Sequence, residues 1–300
     1  MKYKLYSILF VLFLLSSGAV SAQDEYQFLT HDDIERSFVM HLPADYDESQ
    51  PTPLLIVLHG AGDSGINMMT NTNLASKSDE AGYIIVFPDA NSGYWRYVDG
   101  STYEGDPVVD DVAFTVALID HLAEGYNIDQ NRVFVMGFSS GGFMSLRLRC
   151  ELTDRIAGVV VVGATMDNEL AQICLDAEPM PSILALGNQD ASIPWDGFVA
   201  IGDDSLYVQF SMAQTVQFMA GLNSCEPEPE MGGVISTLDS PVTVLITVYA
   251  DCADNSTTAF LTLQDFWHAW PGEIPVVLDP TRNGNIYDVF FSFFDSHVRE

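Results

Sequence analysis

The sequence predicts the α/β fold class, with a mostly parallel sheet that carries helices on both faces. Short apolar runs rich in β-branched residues alternate with segments whose apolar residues recur at helical spacing. The apolar runs are continuous, which is typical of strands that are covered on both sides. The 300 residues suffice to bury a large core. We therefore expect a doubly wound sheet.

The apolar runs define the predicted strands, which are SFVMHL (37–42), PLLIVLHG (53–60), YIIVFPDA (83–90), RVFVMGF (132–138), GVVVVGA (158–164), SILALGN (182–188), VTVLITVY (242–249) and AFLTLQ (259–264). Helical spacing covers residues 66–80, 107–125, 140–151 and 206–222. The first strands have no helix between them, which predicts an antiparallel edge. The segment SCEPEPEMGG (224–233) is predicted to be a surface loop, because its prolines and glycines interrupt helices and ladders.

The amino-terminal residues 1–22 have the pattern of a secretory signal peptide. Two lysines precede an apolar run from Leu5 to Leu15, and small residues end at Ala22. The alternative is a membrane anchor, but the apolar run is shorter than the roughly 20 residues of a membrane span. We therefore expect cleavage after Ala22 and a secreted protein, either periplasmic or extracellular, with no membrane partner.

The charge of the chain argues against two classes of partner. The formal net charge is −31, from 42 acidic and 11 basic residues, and the acidic residues are spread along the sequence. Such a surface repels the phosphates of nucleic acids and anionic membranes. We expect neither as a partner.

The four cysteines predict two disulfide bonds, because an even number in an exported chain indicates pairing. Their spacing matches no zinc motif, and no metal is expected. Three pairings are possible. Closure of the shortest loops favours Cys150 with Cys174 and Cys225 with Cys252.

The segment GFSSG (137–141) fits the G-x-S-x-G pattern, in which a serine sits on a sharp turn from a strand into a helix. Glycines on both sides relieve the crowding at such a turn. An apolar strand precedes Ser139 and a helical pattern follows it, which makes a nucleophile a better interpretation than a simple structural turn.

A nucleophilic serine needs a base and a carboxylate, which follow it in the order acid, then histidine, in this kind of fold. Asp190 comes directly after the strand SILALGN, and Asp196 in the same loop is the alternative acid. Two histidines follow, His268 and His297, and the second is close to the carboxyl terminus. We therefore predict Ser139, Asp190 and His268 as the catalytic residues.

An oxyanion needs two backbone donors, one from the residue after the nucleophile and one from a loop after an early strand. These positions predict the amides of Ser140 and Ala61, the latter in the glycine-rich segment HGAGDS (59–64). His59 is expected to brace that loop.

Three tryptophans in loops are predicted to contact substrate, although a buried loop anchor is an equally good interpretation of the first two. They are Trp95, Trp195 and Trp267.

The motifs together resemble a family of secreted α/β-hydrolase esterases, the polyhydroxybutyrate depolymerase-like and feruloyl esterase-like enzymes. The resemblance rests on RSFVMHLPADYD (36–47), LIVLHGAGDS, IVFPDA (85–90), DDVAFTVALID (110–120), VFVMGFSSGGFMSLRL, GNQDASIPWDG and HAWPG (268–272). It implies an α/β-hydrolase fold over residues 23–300, a serine, aspartate and histidine triad, and no cofactor or metal. One departure is the bulky segment of Asp265, Phe266 and Trp267, where relatives have glycines.

The resemblance implies a serine esterase that acts on small-molecule or oligomeric esters, such as feruloyl or hydroxybutyrate esters, through an acyl-enzyme. A serine peptidase or an acyltransferase on the same fold is the first alternative, because fold and triad do not fix the leaving group. A binding protein without turnover is a weaker alternative, since all three triad positions are intact.

Overall fold

The computed structural model describes residues 25–98, 107–201, 206–237, 240–279 and 282–299. The signal peptide predicted over residues 1–22 lies outside these ranges. The described chain forms a ten-stranded sheet and two small two-stranded sheets. The strands are β1 (Glu25–His31), β2 (Ile34–His41), β3 (Thr52–Leu58), β4 (Ile84–Pro88), β5 (Ile128–Phe138), β6 (Gly158–Val162), β7 (Ser182–Gly187), β8 (Phe198–Ile201), β9 (Leu206–Gln209), β10 (Glu230–Val234), β11 (Thr243–Tyr249), β12 (Thr258–Gln264), β13 (Pro275–Asp279) and β14 (Arg282–Asn285).

The large sheet has the order β1-β2-β4-β3-β5-β6-β7-β12-β11-β10. Its six central strands, from β4 to β12, run parallel, whereas two antiparallel strands close each edge. The antiparallel edge predicted for the first strands is confirmed. Strands β3, β4, β6 and β7 are buried along their whole length, as expected from their continuous apolar sequences.

Within the described ranges, seven α-helices cover the two faces of this sheet. They are α1 (Gly65–Thr72), α2 (Leu74–Ala81), α3 (Asp111–Gly125), α4 (Ser140–Glu151), α5 (Asn168–Ile173), α6 (Met212–Leu222) and α7 (Ile286–Asp295). One buried cluster joins the sheet to α3, α4, α5 and α6, and the other joins it to α1, α2 and α7. The predicted mostly parallel sheet with helices on both faces is confirmed.

Three helix predictions differ from the structure in their bounds. The helix predicted over residues 107–125 begins only at Asp111, after a cap by the Asp110 side chain. The helix predicted over residues 66–80 divides at Asn73, whose left-handed backbone (φ 55°) ends α1 and precedes α2. The helix predicted over residues 206–222 begins only at Met212, where Ser211 and Gln214 form a reciprocal cap. The preceding β9 pairs instead antiparallel with β8.

The prediction of a loop over residues 224–233 is wrong in part. Residues Glu230–Val234 form β10, an edge strand paired antiparallel with β11. Its register shifts between Met231 and Gly233, and Gly233 has a φ of 94°. An exposed strand that carries a glycine bulge has little apolar pattern, so its sequence resembles that of a loop.

Both predicted disulfide pairings are confirmed. One bond joins Cys150 at the end of α4 to Cys174 at the end of α5, and the other joins Cys225 to Cys252. They close loops of 24 and 27 residues. In the part of the chain that the structure describes, no helix has the length and apolar character of a membrane span.

Candidate active site

Ser139 lies on the turn between β5 and α4, at the carboxyl end of the parallel strands. Its φ is 52° and its ψ is −116°, a strained conformation for a residue with a side chain. The flanking glycines make this turn possible, because a side chain at Gly137 would collide with the Gly141 carbonyl and one at Gly141 with the Leu58 carbonyl. The spacing of G-x-S-x-G thus has a steric cause in this fold.

Ser139, His268 and Asp190 form a continuous line of hydrogen bonds. The Nε2 atom of His268 lies 2.9 Å from Ser139 Oγ, and its Nδ1 atom lies 2.7 Å from Asp190 Oδ2. The carboxylate is an acceptor, so Nδ1 carries the proton and Nε2 is free to accept the serine hydroxyl proton. The structure therefore brings together the three residues predicted from the sequence, in the geometry that activates a serine.

Asp190 is held by the loop that follows β7. Its Oδ1 atom accepts the amides of Ser192 (2.9 Å) and Ile193 (2.8 Å), and the residue is buried. These two bonds direct the other oxygen, Oδ2, towards His268. Asp196, the alternative acid, is exposed in the same loop.

His268 lies in the loop after β12, which is the parallel neighbour of β7. The amide of Gln189 donates to the Phe266 carbonyl at 3.0 Å and ties the histidine loop to the aspartate loop. The imidazole stacks on Phe138, with ring centroids 5.0 Å apart. Phe138 was missed in the sequence, although it is the variable residue before the serine in the G-x-S-x-G pattern.

The segment HGAGDS (59–64) passes beside the serine turn. A side-chain carbon at Gly60 would lie 3.6 Å from the Ser139 Cβ atom. The Gly62 amide donates to the Gly93 carbonyl and the Asp63 amide to the Gly60 carbonyl. Ala61 is exposed at this position, and the amides of Ala61 and Ser140 stay the predicted oxyanion donors.

His59 is fully buried beneath this loop and braces it as predicted. The Ala90 amide donates to His59 Nε2 at 3.0 Å, so the proton of the ring lies on Nδ1, which donates to the Gly60 carbonyl at 2.7 Å. Burial lowers the pKa of His59, and it outweighs the opposing effect of the Gly60 carbonyl. His59 is thus a neutral structural group.

The lowered pKa of His59 gives a pH dependence of stability. Below about pH 6.5 the unfolded chain binds a proton at His59 that the folded chain does not. The free energy of unfolding therefore decreases as the pH is lowered, by up to about 1.4 kcal/mol for each pH unit. We expect His59→Gln to have a smaller slope of unfolding free energy against pH between about pH 7 and 5. Urea denaturation of both proteins measures the slopes. Burial also lowers the pKa of His297, but that contribution is common to both proteins, and equal slopes would contradict the assignment to His59.

Trp95 was predicted to contact substrate, and the structure corrects this. The side chain is fully buried, and its Nε1 atom donates to the His59 carbonyl at 3.0 Å. Trp95 is therefore an anchor of the glycine-rich loop, because a ring enclosed by protein cannot line an open cleft.

The other two tryptophans differ in exposure. Trp195 is half-buried, and it packs against the buried cluster that joins the sheet to α3, α4, α5 and α6. Trp267 is 64% exposed beside His268 and stacks on Phe266, with ring centroids 5.5 Å apart. A substrate contact stays a prediction for both, and Trp267 has the larger free surface.

Several of the families and proteins that this chain resembles are described as esterases. The model of a family described as BD-FAE matches residues 40–155, and that of a family described as Phospholipase/Carboxylesterase matches residues 107–233. Each model covers less than half of the chain, and together they indicate an α/β-hydrolase that is similar to the feruloyl esterases. The feruloyl esterase-like part of the resemblance predicted from the sequence is thereby confirmed, and the comparisons support the predicted enzyme class, carboxylic ester hydrolase.

Relatives of this α/β-hydrolase include a putative esterase, NocK, from Nocardia uniformis subsp. tsuyamanensis, which is 27% identical over 73% of the chain and 66% of its own length. Feruloyl esterase B from Piromyces equi is 26% identical over 65% of the chain and 37% of its own length. The chain thus spans less than two thirds of the length of these relatives.

Solved structures share the fold at low sequence identity. An acetyl xylan esterase from Aspergillus awamori has a TM-score of 0.59 and 13% identity, and the match covers 91% of this chain and 99% of that one. A feruloyl esterase module from Clostridium thermocellum has a TM-score of 0.57 and 14% identity, with 83% of each chain covered. These likenesses concern the fold.

Among the described residues, no group of three or more histidine, cysteine, aspartate or glutamate side chains has the arrangement of a metal site.

Proposed function

We propose that this α/β-hydrolase is a carboxylic ester hydrolase that works through an acyl-enzyme on Ser139. The observation that carries the proposal is the hydrogen-bonded line from Ser139 through His268 to Asp190. A neutral imidazole fixed in the tautomer that accepts at Nε2 is the arrangement that a serine nucleophile needs. The esterase names of the matching families and relatives support the same activity.

The reaction follows from this geometry. Ser139 Oγ attacks the ester carbonyl as its proton passes to His268 Nε2, and Asp190 stabilises the imidazolium that forms. The amides of Ser140 and Ala61 bind the oxyanion of the tetrahedral intermediate. His268 then protonates the alcohol as it leaves, and a water activated by the same histidine hydrolyses the acyl-enzyme.

The substrate class that we propose is an ester with an aromatic acyl group, of the feruloyl type. Trp267 supports this class, since it offers an exposed indole face next to His268. Related feruloyl esterases support it as well. Acetyl esters and hydroxybutyrate oligomers are the alternatives that the experiment includes.

We also propose an extracellular location. The two disulfide bonds are typical of proteins that fold in an oxidising compartment. The signal peptide predicted over residues 1–22 is the sequence feature that would direct export.

Initial rates of the purified protein on methyl ferulate, methyl acetate, a hydroxybutyrate oligomer and a set of peptide amides test the proposed activity. Mass spectrometry after treatment with a fluorophosphonate locates the reactive serine, and we expect modification at Ser139. Hydrolysis of the peptide amides in preference to the esters would show that the protein is a peptidase and not an esterase. An absence of both turnover and labelling would refute the proposal.

The role of Trp267 can be tested separately. Loss of its stacking surface in Trp267→Ala is expected to lower kcat/KM for methyl ferulate about tenfold, in line with the roughly 0.5–1.5 kcal/mol of an aromatic pair. Methyl acetate has no aromatic ring, and its kcat/KM serves as the internal control. Equal losses on both esters would show that Trp267 supports the loop and does not bind the acyl ring.

A further inference from the structure

Arg36 and Asp111, which are not members of the proposed triad, form a buried ion pair. Arg36 at the start of the chain's second strand is 4% exposed and Asp111 at the start of α3 is 0% exposed, with 2.8 Å between Arg36 Nη2 and Asp111 Oδ1. The guanidinium also lies 3.9 Å from the ring centroid of Phe114. Apolar residues of similar volume often replace such a pair without loss of stability. The contacts of the guanidinium point to another role.

Arg36 binds one side of a particular peptide group. Its Nε and Nη2 atoms donate to the Asp89 carbonyl at 3.3 Å and 2.9 Å. The amide on the other side of the same peptide, Ala90 N–H, donates to His59 Nε2 at 3.0 Å. A cationic donor on the carbonyl polarises the peptide, and its N–H becomes a stronger donor.

His59 repeats this arrangement one step further. Because Nε2 accepts from Ala90, Nδ1 carries the proton and donates to the Gly60 carbonyl at 2.7 Å. The amide on the other side of the Gly60 peptide is Ala61 N–H, the proposed oxyanion donor. Every hydrogen bond in this chain of groups points from Arg36 towards Ala61.

We propose that Arg36 is a positioning residue for the oxyanion donor, acting through a relay that consists of Arg36, the Asp89–Ala90 peptide, His59 and the Gly60–Ala61 peptide. This inference rests on the proposed function. The relay holds the Ala61 amide in place and increases its positive partial charge where the oxyanion develops. Interactions that strengthen only in the transition state raise kcat.

Two further contacts fix the relay in position. Asp111 Oδ2 accepts the Arg96 amide at 2.7 Å, and the Trp95 indole donates to the His59 carbonyl at 3.0 Å. Asp111 therefore holds both Arg36 and the segment that carries Trp95. These contacts hold the Arg96 amide against Asp111 and the Trp95 indole against His59.

A double-mutant cycle on kcat tests the relay. We expect Arg36→Met to lower kcat about tenfold and His59→Phe to lower it up to about 100-fold, which is the lower limit of the loss seen when an oxyanion donor is removed, with KM changed by less than about twofold. Because His59→Phe already breaks the relay, the double variant should match it. Arg149→Met is the matched control, since Arg149 is also fully buried but contacts Asn223, away from the relay, and kcat should be unchanged.

The infrared carbonyl band of the trapped acyl-enzyme provides a readout that a merely structural role would not move. We expect a shift to higher frequency in Arg36→Met, since weaker donors polarise the carbonyl less, and recovery in Arg36→Lys, which keeps a cationic donor. If Arg36→Met does not fold, the lysine variant and the His59→Phe variant carry the same measurement.

Three results would overturn the relay. They are losses in kcat that multiply in the double variant, an equal loss in Arg149→Met, and a carbonyl band that does not move. The wild-type protein distinguishes this failure from failure of the proposed function. If it hydrolyses esters with Ser139 labelled, only the relay is in question.

Discussion

Ser139→Ala is expected to lower kcat for ester hydrolysis by about 10⁴-fold or more, because no other group in the line can form the acyl-enzyme. The remaining rate would come from substrate binding and the oxyanion donors, which do not depend on the serine hydroxyl. Initial rates on methyl ferulate measure the loss, and circular dichroism and thermal unfolding check the fold.

The same variant should keep the stability of the wild-type protein. The left-handed backbone at Ser139 is imposed by the close packing of Gly137 and Gly141, and alanine has a side chain of nearly the same size as serine. Ser292→Ala, which removes an exposed hydroxyl on α7, is the matched control. Activity of Ser139→Ala near the wild-type rate would show that another residue is the nucleophile.

The proposed catalytic residues could be predicted from the sequence because each follows a strongly apolar strand. Parallel strands put their carboxyl ends at one edge of the sheet, so Asp190 after β7 and His268 after β12 meet near Ser139 after β5. The order along the chain then excluded the histidines before Asp190, and His297 was set aside because it is close to the carboxyl terminus. The local sequence around each residue and the topology of the sheet predict the same three positions, so no long-range contact had to be known to predict them.

Other features depend on contacts that a linear pattern does not contain. The left-handed turn at Asn73 and the start of α6 at Met212 lie inside segments with continuous helical spacing. The burial of Trp95 depends on the fold of two loops around His59.

The relay from Arg36 to Ala61 could not be predicted from the sequence either. Arg36 and Asp111 are 75 positions apart and ordinary charged residues in their local context. Their burial appears only when β2 and α3 pack together with Phe114. A charged residue is usually exposed, so the sequence predicts a surface position for each.

Asp190→Asn should cost nearly as much activity as loss of the serine, and the reason lies in the direction of the hydrogen bonds. Asp190 Oδ1 accepts two amides, from Ser192 and Ile193. In the variant the asparagine carbonyl oxygen must take that place, because an NH₂ group cannot accept them. The NH₂ group then faces His268 Nδ1.

An NH₂ donor at this position reverses the tautomer of the imidazole. His268 Nδ1 becomes the acceptor, the proton moves to Nε2, and Nε2 can no longer take the proton of the Ser139 hydroxyl. The loss in kcat is expected to be about 10⁴-fold, as for the same change in other triads. Rates on methyl ferulate measure it, and nitrogen-15 NMR of the labelled histidine reports which ring nitrogen carries the proton.

The matched control is Asp196→Asn, which removes a carboxylate from the same loop. Asp196 is exposed, and we expect its replacement to leave kcat within about twofold, since water and salt screen an exposed charge. Loss of activity in Asp196→Asn together with retention in Asp190→Asn would transfer the acid role to Asp196. Loss in Asp190→Asn with an unchanged histidine tautomer would instead make the negative charge of Asp190, rather than its orientation of His268, the property on which catalysis depends.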